Sequence, residues 1–148
     1  MKIYFLFLSL CVLTSTSFSQ ETKIPKKQVP SAVLKAFKDS YPAAKIRRTN
    51  KESKHGMLYY EIESKDGMTK RDVLYTPAGE VSEIEEIIPA DQLPSAVKTT
   101  VTNQYPHAKI RSVEKNMQGA AVQYEVLLQN GKKKFEVIYS PEGSTLSN

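Results

Sequence analysis

The chain has 148 residues, a formal net charge of +5 and a single cysteine, Cys11. This length allows one ordinary domain or two very small ones. Because the basic residues are interspersed with acidic ones, the charge pattern favours solubility rather than nucleic-acid binding, and we expect no nucleic-acid partner.

Residues 1–19 have the pattern of a secretory signal peptide. Lys2 supplies a short positive region, an apolar run extends from Ile3 to Leu13, and Ser17-Phe18-Ser19 is a small-x-small cleavage site. The apolar run is too short to be a transmembrane span. The sequence therefore predicts a periplasmic or secreted protein with no stable membrane insertion after cleavage. Cys11 leaves with the signal, so the mature chain has no disulfide and no cysteine metal ligand.

A seven-residue stretch occurs twice. Tyr41-Pro42-Ala43-Ala44-Lys45-Ile46-Arg47 returns 64 positions later as Tyr105-Pro106-His107-Ala108-Lys109-Ile110-Arg111. The same offset relates other pairs, among them Gly67 and Gly131. Two tandem copies of one unit are therefore predicted, repeat one at residues 29–88 and repeat two at residues 93–148. They make up one domain, residues 29–148, after a polar, lysine-rich stretch at 20–28 that we expect to be a flexible lead-in.

Each repeat begins with a helix pattern. Apolar residues at Val33, Phe37 and Tyr41 predict a helix from Ser31 to Tyr41, which Pro42 ends. The second copy predicts the same helix from Ser95 to Tyr105. A helix of about three turns is not stable alone in water, so each must pack on another element.

That element is predicted to be an antiparallel sheet. The fold class is α+β, with two tandem αββββ repeats, both helices on one face of the sheet and an open concave face opposite. Asp66-Gly67 and Asn130-Gly131 are hairpin signals between alternating runs. The predicted strands are residues 44–51, 57–64, 69–75 and 80–88 in the first copy, then 121–128, 133–139 and a short edge strand at the end of the second.

Placing the two-residue loops at Asp66-Gly67 and Asn130-Gly131 fixes a register. It predicts a core face beneath the helices that carries Leu58, Tyr60, Ile62, Val73 and Tyr75 in the first copy and Val122, Tyr124, Val126, Phe135, Val137 and Tyr139 in the second. On the face away from the helices, this register pairs Glu61 with Asp72 and Glu125 with Glu136. Directly opposed like charges destabilise a sheet. Two explanations remain open. Basic residues of the first strand neutralise the acids, for which the candidates are Lys45, Arg47, Lys109 and Arg111. Alternatively, Glu61, Asp72, Glu125 and Glu136 are weak candidates for a metal site.

The same face also carries apolar side chains, predicted at Met57, Tyr59, Leu74, Val113, Leu127 and Ile138. If the two repeats join side by side, these residues form one apolar patch rimmed by charge. Such a patch is typical of a protein-binding surface. Our candidate partner-binding residues are Tyr59, Leu74, Leu127, Ile138, Arg47 and Arg111. Self-association or coverage by loops is the alternative.

Signals for catalysis are weak. The histidines, His55 and His107, do not occupy equivalent positions in the two copies. The sequence has no Gly-rich phosphate loop, no HExxH and no nucleophile elbow. We therefore predict a protein that is not an enzyme and needs no cofactor.

Several short motifs resemble a known family. They are Leu93-Pro94-Ser95-Ala96-Val97, the repeated Tyr-Pro-x-Ala-Lys-Ile, Tyr124-Glu125-Val126, and the Tyr-x-Pro-x-Gly turn. This pattern resembles the PepSY-like proteins of bacterial periplasms, which are similar in architecture to β-lactamase inhibitory protein. The resemblance covers residues 29–148. It implies helices on the convex side of a sheet and a concave face that, in the inhibitor, grips an enzyme. No inhibitory residue matches here, and the broader grouping implies peptidase regulation or an envelope role.

The sequence thus predicts an exported non-enzymatic binding module that uses the helix-free sheet face for protein–protein interaction, in the manner of an inhibitor or regulator. The alternative is a cation- or small-ligand-responsive envelope protein that uses the carboxylates of the same face.

Overall fold

The computed structural model describes residues 20–54 and 56–147. The predicted signal peptide at residues 1–19, with Cys11, lies outside the described residues, and so does His55. Within the described part of the chain, no helix is long and apolar enough to cross a membrane.

The architecture is α+β, as predicted, with two helices against a nine-stranded sheet. The strands lie in the sheet in the order of the chain, and every neighbouring pair is antiparallel. The elements are β1 Gln20–Lys23, α1 Ser31–Ser40, β2 Lys45–Lys54, β3 Met57–Asp66, β4 Thr69–Tyr75, β5 Val81–Ile87, α2 Ser95–Gln104, β6 Lys109–Gln118, β7 Ala121–Asn130, β8 Lys133–Tyr139 and β9 Thr145–Ser147. Short 3-10 turns at Lys26–Gln28 and Ala90–Gln92 precede the two helices.

Two hydrophobic clusters hold the helices against one face of the sheet. In the first, Val33 and Phe37 of α1 pack with Ile62, Val73 and Tyr75. In the second, α2 contributes its own apolar stripe, and the buried members are Leu93, Val97, Val101, Val113, Tyr124, Val126, Leu128, Val137 and Tyr139. The predicted core face of both hairpins is confirmed, because strand side chains alternate between faces and the alternate residues named here are buried.

The expected flexible lead-in at residues 20–28 is wrong. Residues Gln20–Lys23 form β1, which pairs antiparallel with β2. Ile24 is buried in the first cluster, and its carbonyl accepts a hydrogen bond of 2.7 Å from the Thr49 hydroxyl. The polar composition of the stretch misled the prediction, because an edge strand needs only a partner for its backbone and one anchoring apolar side chain.

The predicted hairpin register is also wrong, by two residues in each repeat. Asp66 pairs with Thr69, so the loop is Gly67-Met68 and Gly67 takes the first loop position with φ 57°. Glycine is favoured there because the position requires a positive φ. A shift of two residues keeps every side chain on its predicted face but changes its partner. Glu61 therefore lies opposite Leu74, and Glu125 lies opposite Ile138.

Each repeat has a β-bulge at the same place in its first long strand, between Ile46 and Arg48 in β2 and between Ile110 and Ser112 in β6. A bulge inserts one extra residue and reverses the alternation of side chains beyond it. Arg48 therefore faces the helix-free side. Val113, which was predicted on the helix-free face, instead lies in the core and is 1% exposed.

Candidate functional site

A row of carboxylates crosses the helix-free face. Glu63 of β3 lies directly opposite Asp72 of β4, and Asp72 lies directly opposite Glu85 of β5. The sequence correctly indicated opposed like charges on this face, but the register places them one step from the predicted pair Glu61 and Asp72. Opposed carboxylates destabilise a sheet unless a proton or a cation separates their charges.

The pKa values of these acids reflect that crowding. Burial, followed by repulsion from Glu63 and Glu114, raises the pKa of Asp72 to about 6. Burial, followed by repulsion from Glu114 and Glu83, raises the pKa of Glu85 to about 7. Burial also raises the pKa values of Glu61 and Glu125, although the Asn50 amide partly opposes the shift at Glu61. The face therefore favours any bound group that brings positive charge.

Leu74 forms the floor of a pocket on this face. The side chain of Leu74 is only 6% exposed although it points away from the helices. Around it the pocket has a volume of about 280 Å³ and is lined by Glu21, Glu52, Lys54, Leu74, Glu61, Asp72, Glu83 and Glu85. The Lys54 ammonium donates to Oε2 of Glu83 at 3.1 Å, so one wall already holds a lysine. The pocket combines an apolar floor with walls that are mostly acidic.

A second acidic group lies beside this pocket, at the β1 edge of the sheet. One oxygen each from Glu21, Glu61 and Glu63 lies within 4.8 Å of the other two. The amide Nδ2 of Asn50 donates to Oε2 of Glu61 at 2.6 Å and to Oε1 of Glu63 at 3.2 Å. Asn50 is fully buried, and its Oδ1 has no hydrogen-bond partner in the described part of the chain.

The predicted apolar patch is divided in two. Tyr59 and Leu74 are diagonal neighbours on β3 and β4, and Leu127 and Ile138 are diagonal neighbours on β7 and β8. Strands β5 and β6 lie between the two pairs and place Glu83, Glu85, Glu114 and Asn116 on the same face. The prediction of one continuous apolar patch was therefore wrong, because the side-by-side order of the strands inserts an acidic strip.

The predicted arginines do not join this site. Arg47 and Arg111 are the exposed extra residues of the two bulges. The neutralising residue is Arg48, whose Nη1 lies 3.1 Å from Oε1 of Glu63. The sequence analysis missed Arg48 because it assumed that side chains alternate between the two faces along the whole strand. No residue pattern in the sequence indicated the bulge.

Of the four predicted metal candidates, Glu61 belongs to the Glu21–Glu61–Glu63 group. Asp72 lines the neighbouring pocket, while Glu125 and Glu136 lie in repeat two, opposite Ile138 and Leu127. The sequence analysis also missed Glu21 and Asn50. Glu21 belonged to the supposed lead-in, and Asn50 faces these acids only because of the bulge.

The chain matches the sequence model of a known family. Residues 15–82 and 58–147 each match the family described as "Putative beta-lactamase-inhibitor-like, PepSY-like". The chain belongs to this PepSY-like family. The double match agrees with the internal repeat. A search of curated proteins finds no match.

Solved structures share the fold. A Bacteroides eggerthii protein described as a "putative periplasmic protein" has a TM-score of 0.66 and 19% identity, over 80% of this chain and 86% of that one. A DUF2874 family protein from Bacteroides uniformis has a TM-score of 0.65 and 17% identity, over 79% of this chain and 86% of that one. A BLIP-like protein from Bacteroides fragilis has a TM-score of 0.63 and 23% identity, over 83% of this chain and 84% of that one. At these identities the likeness shows the fold of a PepSY-like protein.

Proposed function

We propose that this PepSY-like protein is an exported, non-enzymatic module that binds a protein partner through the helix-free face of its sheet. The observation that carries the proposal is the pocket over Leu74, where an apolar floor lies within acidic walls. Family membership and the similarity to a BLIP-like structure support an inhibitor-like or regulator-like role. The two αββββ units would together form the concave side that the partner occupies.

The chemistry of the pocket selects the partner's side chain. A lysine or arginine would lay its apolar stem on Leu74 and bring its charge to Glu61, Asp72 and Glu85. Burial, followed by repulsion from neighbouring carboxylates, raises the pKa values of Asp72 and Glu85, and entry of that charge would relieve the repulsion. The Tyr59–Leu74 and Leu127–Ile138 pairs would supply apolar contact on either side of the acidic strip.

A pull-down from periplasmic extract tests this proposal, with the chain from Gln20 as bait. The test variant is Tyr59→Asp/Leu127→Asp. The control is Ser31→Asp/Ser95→Asp, which adds the same charge at exposed positions in the first turns of the two helices, where acids are tolerated. We expect one partner retained by the wild type and the control, lost by the test variant, and released by moderate salt. Retention by the test variant, or no specific partner with any bait, would refute the proposal.

A second candidate function is calcium binding by Glu21, Glu61 and Glu63, with Oδ1 of Asn50 as a further ligand. Two oxygens on one calcium ion are at most about 4.8 Å apart, given bond lengths of about 2.4 Å. The three carboxylates meet that limit. The buried, unpaired Oδ1 of Asn50 is the specific observation in favour, because rotation of the amide would give that oxygen to the ion. Calcium suits this incomplete oxygen shell better than magnesium, which requires strict octahedral geometry.

Calcium titration of the isolated protein tests this candidate separately from partner binding. We expect CaCl₂ to raise the melting temperature of the wild type and of Glu125→Gln but not of Glu61→Gln, because Glu125 is the residue of repeat two that corresponds to Glu61 and lies outside the acidic group. Equal shifts in all three proteins would indicate general charge screening, and no shift at all would exclude the site.

A further inference from the structure

A second pocket lies elsewhere, at the outer edge of repeat one, and has a volume of about 680 Å³. It opens between the C-terminal half of α1 and the start of β2. Strand β1 pairs only with residues Asn50 to Ser53, so the edge of β2 from Lys45 to Arg48 is left without a neighbouring strand. The pocket occupies this notch, and its size is within the usual range for small-ligand sites.

The inner wall of the pocket is apolar. Ile24 comes from the turn after β1, Leu34 and Phe37 come from α1, and Tyr41 directly follows α1. The rings of Phe37 and Tyr41 contact each other with centroids 5.4 Å apart, which gives that wall a fixed shape. An apolar ligand segment placed against this wall would therefore leave water.

The rim of the pocket carries one sign of charge. Its lining includes the five cations Lys23, Lys26, Lys38, Arg47 and Arg48 and no acidic residue. Arg48 has an ion pair with Glu63, but the other four have none in the described chain. Arginine and lysine side chains in such a group bind carboxylate or phosphate oxygens through charge-assisted hydrogen bonds.

Repeat two shows that this chemistry is not imposed by the fold. The corresponding strand edge there, 64 positions later, has a pocket of about 210 Å³ that no residue of α2 lines. Ile87 replaces Lys23, Ala90 replaces Lys26 and Ser112 replaces Arg48 among its lining residues, while Arg111 remains. On the helices, Lys38 corresponds to Thr102 and Leu34 to Lys98. Repeat one therefore has a pocket with an apolar helix wall and five cations, whereas the smaller pocket of repeat two has one cation, Arg111, and no helix wall.

We propose that the pocket between α1 and the edge of β2 binds an amphipathic anion, with an apolar chain against Leu34 and Phe37 and a carboxylate or phosphate head at the cationic rim. This site opens beside α1 and meets the helix-free face at Arg48, so a ligand could occupy it while a protein partner is bound over Leu74. The same head chemistry occurs in free fatty acids and in lipid phosphate monoesters.

Isothermal titration calorimetry on the chain from Gln20, below the micelle concentration, tests the proposal. The probes are dodecanoate and dodecyl phosphate, with dodecanol and dodecyltrimethylammonium as tail controls and acetate as the head control. We expect at least one of the two amphipathic anions to bind, with all three controls weaker by about tenfold or more. Preference for dodecanoate would indicate a fatty acid, and preference for dodecyl phosphate a lipid phosphate.

Variants then locate the site. Lys26→Ala/Lys38→Thr installs the residues of repeat two at exposed positions, so the fold should be kept. Lys132→Ala/Lys134→Thr removes the same charge at exposed positions of the β7–β8 hairpin. The first variant should lose about tenfold in affinity for the anions, and the second should bind like the wild type. Equal loss in both, equal binding of the ammonium probe, or no measurable heat would overturn the proposal.

Discussion

Asp72 and Glu85 lie directly opposite each other on β4 and β5, and both carboxyl groups have pKa values well above those of free side chains. Nothing in the fold requires two acids to face each other in this way. A sheet face that keeps uncompensated carboxylates is less stable than it could be. We therefore connect this pair to binding of a cationic group, as proposed above.

The first prediction concerns pH. The folded-state pKa values of about 6 for Asp72 and about 7 for Glu85 exceed the unfolded values, so the folded state binds more protons. The resulting stabilisation is full below pH ~4 and is lost as pH rises through about 6 and 7. We expect the free energy of unfolding to fall by on the order of 1 kcal/mol from pH 5 to pH 8, after allowance for solvent screening.

Urea denaturation in metal-free buffer measures this change. Asp72→Asn/Glu85→Gln should flatten the profile, whereas Glu80→Gln, at an exposed position in the turn before β5, should leave it unchanged. A wild-type stability that rises between pH 5 and pH 8 would contradict the assignment.

The second prediction compares two glycines of repeat two. Gly143 has φ 86°, and an added Cβ would lie 2.8 Å from the carbonyl oxygen of Ala96 at the start of α2. Gly131 has φ 59°, and nothing lies within 4 Å of an added Cβ. Gly131→Ala should cost about 1–2 kcal/mol through backbone strain alone. Gly143→Ala should cost at least about 1 kcal/mol more, because the turn must move off the helix. Equal melting temperatures for the two variants would show that this close approach does not matter.

The third prediction uses two equivalent tyrosines. Tyr75 and Tyr139 are fully buried at corresponding positions, but the Tyr75 hydroxyl has no partner in the described chain, while the Tyr139 hydroxyl lies 3.5 Å from Oε1 of Gln104. Tyr75→Phe should be neutral or stabilising by up to about 1 kcal/mol, since it removes an unpaired polar group. Tyr139→Phe should be destabilising by about 0.5–1 kcal/mol. Thermal unfolding of both variants measures these changes. A larger loss of stability in Tyr75→Phe than in Tyr139→Phe would contradict the described hydrogen bonding.

The fourth prediction tests whether the segment before α1 belongs to the folded unit. Ile24 is 9% exposed in the first cluster, whereas Ile87 at the end of β5, which corresponds to Lys23, is 37% exposed. Ile24→Ala should cost about 2 kcal/mol, and Ile87→Ala less than about 1 kcal/mol. Chemical denaturation at fixed pH measures both. An unaffected Ile24→Ala variant would restore the interpretation of residues 20–28 as a flexible lead-in.

The sequence by itself determined the repeat, the two helices and the core face. The reason is that these features depend on local order. Val33 and Phe37 are separated by one helical turn, and Ile62, Val73 and Tyr75 lie at alternate positions of their strands. Both periodicities are visible within a short stretch of sequence. The predicted core face survived an error of register because that error was two residues, which preserves alternation.

Only the tertiary structure decided which charged residues meet. The bulge at Arg47 turns Arg48 and Asn50 to the helix-free face, and β1 brings Glu21 beside Glu61. These arrangements depend on hydrogen bonds between strands distant in sequence, and one extra residue reverses the facing of everything beyond it. The division of the apolar residues and the notch beside α1 arise in the same way, from strand order and from where β1 stops. Local periodicity carries no information about either.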